Sequence, residues 1–63
     1  MKRRIALWEY PDLLTVRDVQ DILQIGRSTA YKLLRSGQLP YLKIGSRYRI
    51  PKRYVQRFIN RKA

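Results

Sequence analysis

The chain has 63 residues, which is enough for one small domain whose single hydrophobic core is only marginally stable. It contains no cysteine and no histidine, so a disulfide framework and a zinc finger are excluded. The formal net charge of +11 predicts a polyanionic partner.

The charge is distributed unevenly along the chain. All four acids precede residue 22, whereas residues 22–63 contain eleven Lys or Arg and no acid. The basic charge therefore belongs to the surface of a folded domain and not to a detachable tail. Because histidine and cysteine are missing and acids are few, no nucleophile and base pair or metal cluster can be assembled. We expect neither enzyme activity nor a cofactor.

Residues 1–12 are interpreted as a basic N-terminal arm before a domain over residues 13–63. Lys2, Arg3 and Arg4 are candidates for contacts in a DNA minor groove, and a disordered terminus is the alternative. The apolar run over residues 5–8 predicts either an edge strand or a loop in which Trp8 packs over the core.

The same N-terminal run begins like a signal peptide but is too short to be one. Its apolar part stops at Glu9, short of the roughly 7 to 15 residues that signal peptides need. No apolar stretch reaches the roughly 20 residues required to span a bilayer. We therefore expect a soluble cytoplasmic protein and no membrane partner.

A first helix is predicted after Leu14 by a strong start signal. Thr15 is a natural N-cap, Asp18 occupies the third helical position of a capping box, and Leu14 is placed to pack against Val19. Val16, Ile22 and Leu23 complete its inward stripe. Because this helix carries acids, we expect it to support its neighbours and not to lie on DNA.

A tight turn separates this helix from the next one. Gln24, Ile25 and Gly26 form a three-residue connection in which Ile25 fills the angle between the helices and Gly26 serves as an N-cap. Two short helices joined in this way predict a helix-turn-helix.

The second helix begins at Arg27 and closes at Ser36 and Gly37, where glycine accommodates a left-handed C-cap. Its apolar stripe is Ala30, Leu33 and Leu34, and its polar face carries donors but no carboxylate. Such a face suits the major groove, where Arg and Lys reach guanine or phosphate. We interpret it as a recognition helix; an amphipathic helix with a solvated charged face is the alternative.

After Pro40 the apolar period changes to two, which predicts a β-hairpin around residues 45–47. A three-residue loop would pair Ile44 with Tyr48 and Leu42 with Ile50, and would separate apolar from charged side chains. A two-residue loop would instead place Ile44 opposite Arg47. We prefer the three-residue loop, although its glycine comes earlier than such loops usually require.

The hairpin carries a group of cations that we interpret as a basic wing beside the recognition helix. Cations that face one another across strands repel, so phosphates explain their arrangement better than solvent does. The alternative is an edge strand that Lys and Arg protect from aggregation. The wing residues are Lys43, Ser46, Arg47 and Arg49.

A third helix is predicted from Lys52 to about Arg61, opened by Pro51. Tyr54, Val55, Phe58 and Ile59 form its inward stripe. Arg53, Arg57 and Arg61 form its outward row. Arg57 and Arg61 either face solvent or touch a flanking phosphate or an acidic partner protein. The predicted fold is α+β, a small winged helix-turn-helix with three helices and a two- to three-stranded antiparallel wing.

Three stretches, residues 14–19, 26–40 and 43–51, resemble the excisionase-type DNA-binding domain, which is related to the winged helix of MerR-like regulators. The resemblance covers residues 14 to about 60, and residues 7–9 resemble the lead-in of excisionases from conjugative transposons. Gln24 and Gly26 depart from the common pattern, in which a turn glycine and a serine N-cap are frequent.

The resemblance implies a small non-catalytic protein that binds and bends double-stranded DNA at the ends of an integrated element. It implies a tyrosine-recombinase integrase as a partner, steered towards excision. Because a lone 63-residue module should be only modestly specific, we expect neighbouring copies on adjacent DNA sites, or the integrase, to supply the remaining affinity. In that family the second helix reads the major groove and the wing enters the adjacent minor groove. The implied major-groove residues are Arg27, Ser28, Thr29, Tyr31, Lys32 and Arg35, and the implied wing residues are Lys43, Ser46, Arg47 and Arg49.

Other functions remain open at this point. A small MerR-like transcription regulator of a phage or mobile element would have the same residues. An RNA-binding protein is disfavoured by the helix-turn-helix, and a membrane-active cationic peptide by the capped short helices and hairpin.

Overall fold

A computed structural model describes residues 6–62. The fold is α+β, with three helices and one three-stranded antiparallel sheet, which confirms the predicted class. In chain order, a 3₁₀ turn (Leu7–Glu9) is followed by β1 (Leu13–Leu14), α1 (Val16–Leu23), α2 (Arg27–Arg35), β2 (Leu42–Ile44), β3 (Arg47–Pro51) and α3 (Lys52–Lys62).

The predicted capping box starts α1. Thr15 Oγ1 accepts a hydrogen bond from the Asp18 amide at 3.0 Å, and Asp18 Oδ2 accepts one from the Thr15 amide at 3.0 Å. Two amides that a helix start leaves without partners are therefore satisfied by two local side chains. Leu14 and Val19 both lie in the core cluster beside this cap.

The turn between α1 and α2 has the three predicted residues, with Gln24 in the left-handed conformation at φ 56°. The Gln24 side chain donates to the Asp21 carbonyl at 2.7 Å, which partly offsets the cost of that conformation for a residue other than glycine. Gly26 is the extended N-cap of α2 (φ −78°) and provides no side-chain hydrogen bond.

Helix α2 ends as the sequence predicts, at a glycine with a positive φ. Gly37 has φ 82°, and its amide donates to the Leu34 carbonyl at 3.2 Å. The reversal lets the Leu39 amide donate to the Leu33 carbonyl at 3.2 Å and buries Leu39 completely. Gly37 thus turns the chain back into the core before the wing begins.

The register predicted for the hairpin is wrong. Ile44 lies opposite Arg47 and Leu42 opposite Arg49, so the loop contains only Gly45 and Ser46. Gly45 has φ 63°, and Ser46 is not among the residues with positive φ. A two-residue hairpin turn of type II′ needs glycine at its first central position, so the early glycine is the local feature that sets the register.

This register places apolar and charged side chains together on the outer face of the wing. Leu42 is 48% exposed and Ile44 is 55% exposed, and both share that face with Arg47 and Arg49. Tyr48 and Ile50 point to the opposite face of β3, and Ile50 is completely buried there. The wing therefore presents aliphatic side chains beside arginines.

The N-terminal part of the domain also differs from both predictions over residues 6–8, and Ile5 lies outside the described residues. Leu7–Glu9 form a 3₁₀ turn, in which Glu9 Oε1 accepts a hydrogen bond from the Ala6 amide at 2.9 Å. Trp8 is 80% exposed and does not pack over the core. The third strand is β1, whose Leu13 and Leu14 pair with Pro51 and Ile50.

The core is a single cluster to which the secondary-structure elements contribute individual aliphatic side chains. Its fully packed members are Leu14, Val19, Leu34, Leu39, Ile50 and Val55. The predicted stripe of α3 faces this cluster, with Val55 buried and the other three residues half-buried. Within residues 6–62, no helix is both long and apolar enough to cross a membrane.

Candidate nucleic-acid interface

The outward face of α2 carries donors and is open to solvent. Ala30 and Leu34 are buried, and side chains advance by about 100° per residue around a helix. The positions opposite this buried pair are therefore Ser28, Lys32 and Arg35, all of which are exposed. Thr29 is also exposed, at the edge of the same surface.

Arg27 and Tyr31 lie on the side of α2 that faces the wing. They line a cleft of about 500 Å³ that is bounded by α1, α2 and the wing. The lining residues are Thr15, Val16, Arg17, Gln20, Arg27, Tyr31, Ser46, Arg47, Tyr48 and Arg49. The set contains four arginines and no carboxylate, so its charge favours an anionic ligand.

Three tyrosines connect the recognition helix to the wing. The ring centroids of Tyr31 and Tyr48 are 5.6 Å apart, and those of Tyr48 and Tyr41 are 5.0 Å apart, both in edge-to-face geometry. Edge-to-face pairs contribute more than their buried area alone. These ring contacts join α2 to the wing.

Cations surround these rings. The Arg27 and Arg35 guanidinium carbons lie 5.6 and 5.9 Å from the Tyr31 centroid, and Lys43 Nζ lies 5.2 Å from that of Tyr48. A ring face orients a cation without neutralising it. Within the described part of the chain, the ion pairs are Arg17 with Asp21 and Lys52 with Asp12, and neither pair includes a predicted site cation.

Of the ten predicted site residues that the structure describes, five lie in the cleft and five lie outside it. Arg27 and Tyr31 share the cleft with the wing residues Ser46, Arg47 and Arg49. The remaining ones, Ser28, Thr29, Lys32, Arg35 and Lys43, are exposed on α2 or on β2 outside the cleft. Lys2, Arg3 and Arg4 lie outside the described residues.

Helix α1 contributes residues to the cleft that the sequence analysis did not include. Arg17 and Gln20 form part of its wall, whereas α1 was expected only to support α2. The Arg17 side chain is 75% exposed, with its Nε 3.8 Å from Asp21 Oδ1. The sequence did contain a signal for Arg17, which is the one cation on an otherwise acidic helix. We missed it because we judged the helix by its net charge.

The fold and this surface define a class of protein, the winged helix-turn-helix proteins. The family of helix-turn-helix domains matches residues 13–63. An excisionase of Streptomyces ambofaciens is 43% identical over 49 residues, which cover 78% of this chain and 79% of that protein. The chain therefore belongs to the excisionase family of helix-turn-helix proteins, as the sequence resemblance implied.

More distant similarity extends to mycobacteria. Two Mycobacterium tuberculosis proteins, one from strain CDC 1551 and one from strain H37Rv, carry provisional names as DNA-binding proteins. Each is 34% identical over 38 residues, covering 60% of this chain and 49% of its own length. The chain thus spans about half the length of these two relatives. No solved structure matches.

Proposed function

We propose that this protein binds specific sites in double-stranded DNA and acts as an excisionase, a directionality factor that favours excision by a tyrosine-recombinase integrase. The observation that carries the proposal is the cleft between α2 and the wing, with four arginines and no carboxylate. A narrow basic cleft focuses its field on a phosphate backbone. Family membership supports the excision role.

In this proposal α2 reads the major groove. Its open face presents Arg35, Lys32 and Ser28, which match the acceptors that guanine and the phosphates display there. Arg27 and Arg17, at the N-terminal ends of the two helices, contact the backbone beside the groove. Tyr31 positions Arg27 and Arg35 through its ring and contacts a phosphate through its hydroxyl.

The wing enters the adjacent minor groove. Arg47 and Arg49 approach the phosphates and the negative potential of the groove, while Leu42 and Ile44 lie against the deoxyribose walls. In proteins that bind the minor groove, apolar side chains bend the duplex by inserting between base steps and partly unstacking them. A bend costs a few kcal/mol and is offset by the additional contacts that the deformed duplex makes with the protein.

A single domain of this size is expected to bind only modestly on its own. Neighbouring copies on adjacent sites, or the integrase bound beside them, raise the effective concentration and supply the remaining affinity. The protein needs no catalytic group in this scheme, because strand cleavage and joining belong to the integrase. It acts in the bacterial cytoplasm, on the nucleoid.

Deletion of the gene tests the excision role. We expect the excised circular form of the element, measured by quantitative PCR across the rejoined ends, to disappear and to return with the gene in trans. A transcription regulator of the same fold would change transcript levels and leave excision intact when the integrase is expressed from an independent promoter. That outcome would reject the excisionase proposal while keeping DNA binding.

A further inference from the structure

The sole tryptophan of the chain stands on the surface, and the domain holds it there. Trp8 is 80% exposed on the 3₁₀ turn Leu7–Glu9. Lys52 fixes the segment that follows, since its Nζ donates to the Tyr10 carbonyl at 2.8 Å and its amide to the Asp12 carbonyl at 2.7 Å. A large indole kept in water forgoes stabilisation that a partner would restore.

Trp8 is part of a groove between this turn and α3. The groove has a volume of about 660 Å³; Leu7, Trp8 and Pro51 give it an apolar wall, and Arg53 and Arg57 give it a basic one. The two guanidinium carbons lie 5.2 and 5.7 Å from the Tyr54 ring centroid, which orients both arginines along α3. Neither forms an ion pair within the described residues.

This groove is separate from the proposed DNA surface. It shares no lining residue with the cleft between α2 and the wing. The single acid at its edge, Asp12, is 3.9 Å from Lys52 Nζ, so it does not neutralise Arg53 or Arg57. The N-terminal arm is an unsuitable occupant, because Lys2, Arg3 and Arg4 repel the two groove arginines.

We propose that this groove binds an acidic segment of another protein, with an apolar side chain packed on Trp8 and carboxylates paired with Arg53 and Arg57. Duplex DNA fits the groove poorly, since its bases are paired and Leu7 and Pro51 offer nothing to phosphates. A protein segment satisfies both walls, because an aromatic or branched aliphatic anchor covers the indole while Asp or Glu pairs with the bidentate guanidinium groups. The site thus lets the protein hold a partner while it is bound to DNA.

Selection of short random peptides free of tryptophan, displayed on phage, tests this proposal. The full chain is the target, and the Trp8→Ala variant, which has the same charge, is the counter-selection that removes peptides bound only by the net positive charge. We expect enriched peptides to combine an aromatic or branched aliphatic residue with Asp or Glu. Because Trp8 is the sole tryptophan, its emission should shift to the blue when a selected peptide binds.

Matched variants separate the two walls of the groove. We expect Trp8→Ala to weaken peptide binding by about tenfold or more and Arg57→Gln by about threefold to tenfold. Lys62→Gln removes the same charge from the same helix outside the groove and should leave binding unchanged. Thermal melts by circular dichroism confirm that each variant is folded, which is expected because Trp8 and Arg57 are exposed.

Addition of duplex DNA completes the test. Peptide affinity should change by less than about twofold when duplex saturates the cleft, since the two surfaces share no residue. The proposal is overturned if no peptide depends on Trp8, if the enriched peptides lack acids, or if duplex displaces them. Displacement of the peptide by duplex would assign the groove to DNA. The proposal that the protein binds DNA would still stand.

Discussion

Arg35 and Arg47 carry the same charge, but we propose that they contact DNA in different ways. Arg35 lies on the open face of α2, and Arg47 lies beside the tip of the wing in the cleft. A base contact discriminates among sequences, whereas a phosphate contact strengthens binding to all of them. The two residues therefore test the division between reading and clamping.

Arg35→Ala should weaken binding to the cognate duplex by about 1 to 3 kcal/mol and barely affect a scrambled duplex. Arg47→Ala should weaken binding to both duplexes similarly and make the salt slope shallower by about one unit. Fluorescence anisotropy over a salt series measures both effects. Equal losses on both duplexes for both variants would contradict the division.

Ile44 tests the aliphatic part of the wing. Because Ile44 is 55% exposed, Ile44→Ala should leave stability nearly unchanged and lower DNA affinity by on the order of 1 kcal/mol, with a smaller bend. Mobility of the complex with circularly permuted duplexes measures affinity and bend together. Leu13→Ala is the control, since Leu13 is also exposed but lies on β1, away from the wing tip. If the wing acts only through charge, Ile44→Ala will leave both DNA affinity and the bend unchanged.

At the scale of elements, local chemistry marks the ends of the helices and also the turn of the hairpin, but the glycine signal in the hairpin was not followed. Thr15 and Asp18 mark the start of α1, and Gly37 marks the end of α2, with signals that lie within a few residues. The hairpin register was predicted wrongly because we assumed that Leu42 and Ile44 must be buried. Leu42 and Ile44 are exposed on a surface that we propose to contact DNA. The early Gly45 was the one sequence feature that indicated the observed register.

Some residues of the site could not be predicted from the sequence. The cations of α2 and the wing were identifiable as types in a pattern, but the inclusion of Arg17 and Gln20 depends on how α1 packs beside them. The exposure of Trp8 was missed because aromatic side chains usually pack. Tertiary placement decides both cases, and the lone cation Arg17 on an otherwise acidic helix was the only sequence feature that indicated either of them.

The capping box of α1 should account for a measurable part of the free energy of unfolding. Thr15→Ala removes the acceptor for the Asp18 amide and should lower stability by about 1 kcal/mol. In a domain of this size that corresponds to a fall in Tm of about 4 to 8 °C. Thermal melts by circular dichroism measure it. An unchanged Tm would show that water replaces the cap without cost.

The N-cap of α2 offers a change in the opposite direction. Gly26 has the extended conformation of an N-cap, and a Cβ atom added there meets nothing within 4 Å. Gly26→Ser supplies the missing acceptor and restricts the unfolded chain, so stability should rise by about 0.5 kcal/mol. Urea titration measures the gain. A loss of stability would contradict this prediction and would mean that the turn requires glycine at position 26.

At the scale of the whole molecule, two surfaces with different chemistry share one small core. The cleft between α2 and the wing contains only basic and neutral residues, whereas the groove beside Trp8 combines an apolar wall with a basic one. The first suits a phosphate backbone and the second an acidic protein segment. In the two proposals, one short chain links a DNA site to a protein partner.

Many phosphate contacts on a small domain make binding steeply dependent on salt. About six neutralised phosphates predict that log K falls by roughly five for each tenfold increase in salt. Anisotropy titrations over a range of salt concentrations give this slope directly. A salt slope near one would mean that only about one cation contacts a phosphate, and that α2 and the wing do not bind the duplex together.

The most direct measurement is a paired footprint of the protein on DNA from the ends of the element that carries its gene. Dimethyl sulfate probes guanine N7 in the major groove, and hydroxyl radicals probe the sugars of the minor groove. We expect protection of a major-groove segment and of the minor groove next to it. In Arg47→Ala, only the minor-groove protection should be lost. Protection of a single groove, or binding to heparin as tight as to duplex DNA, would contradict it.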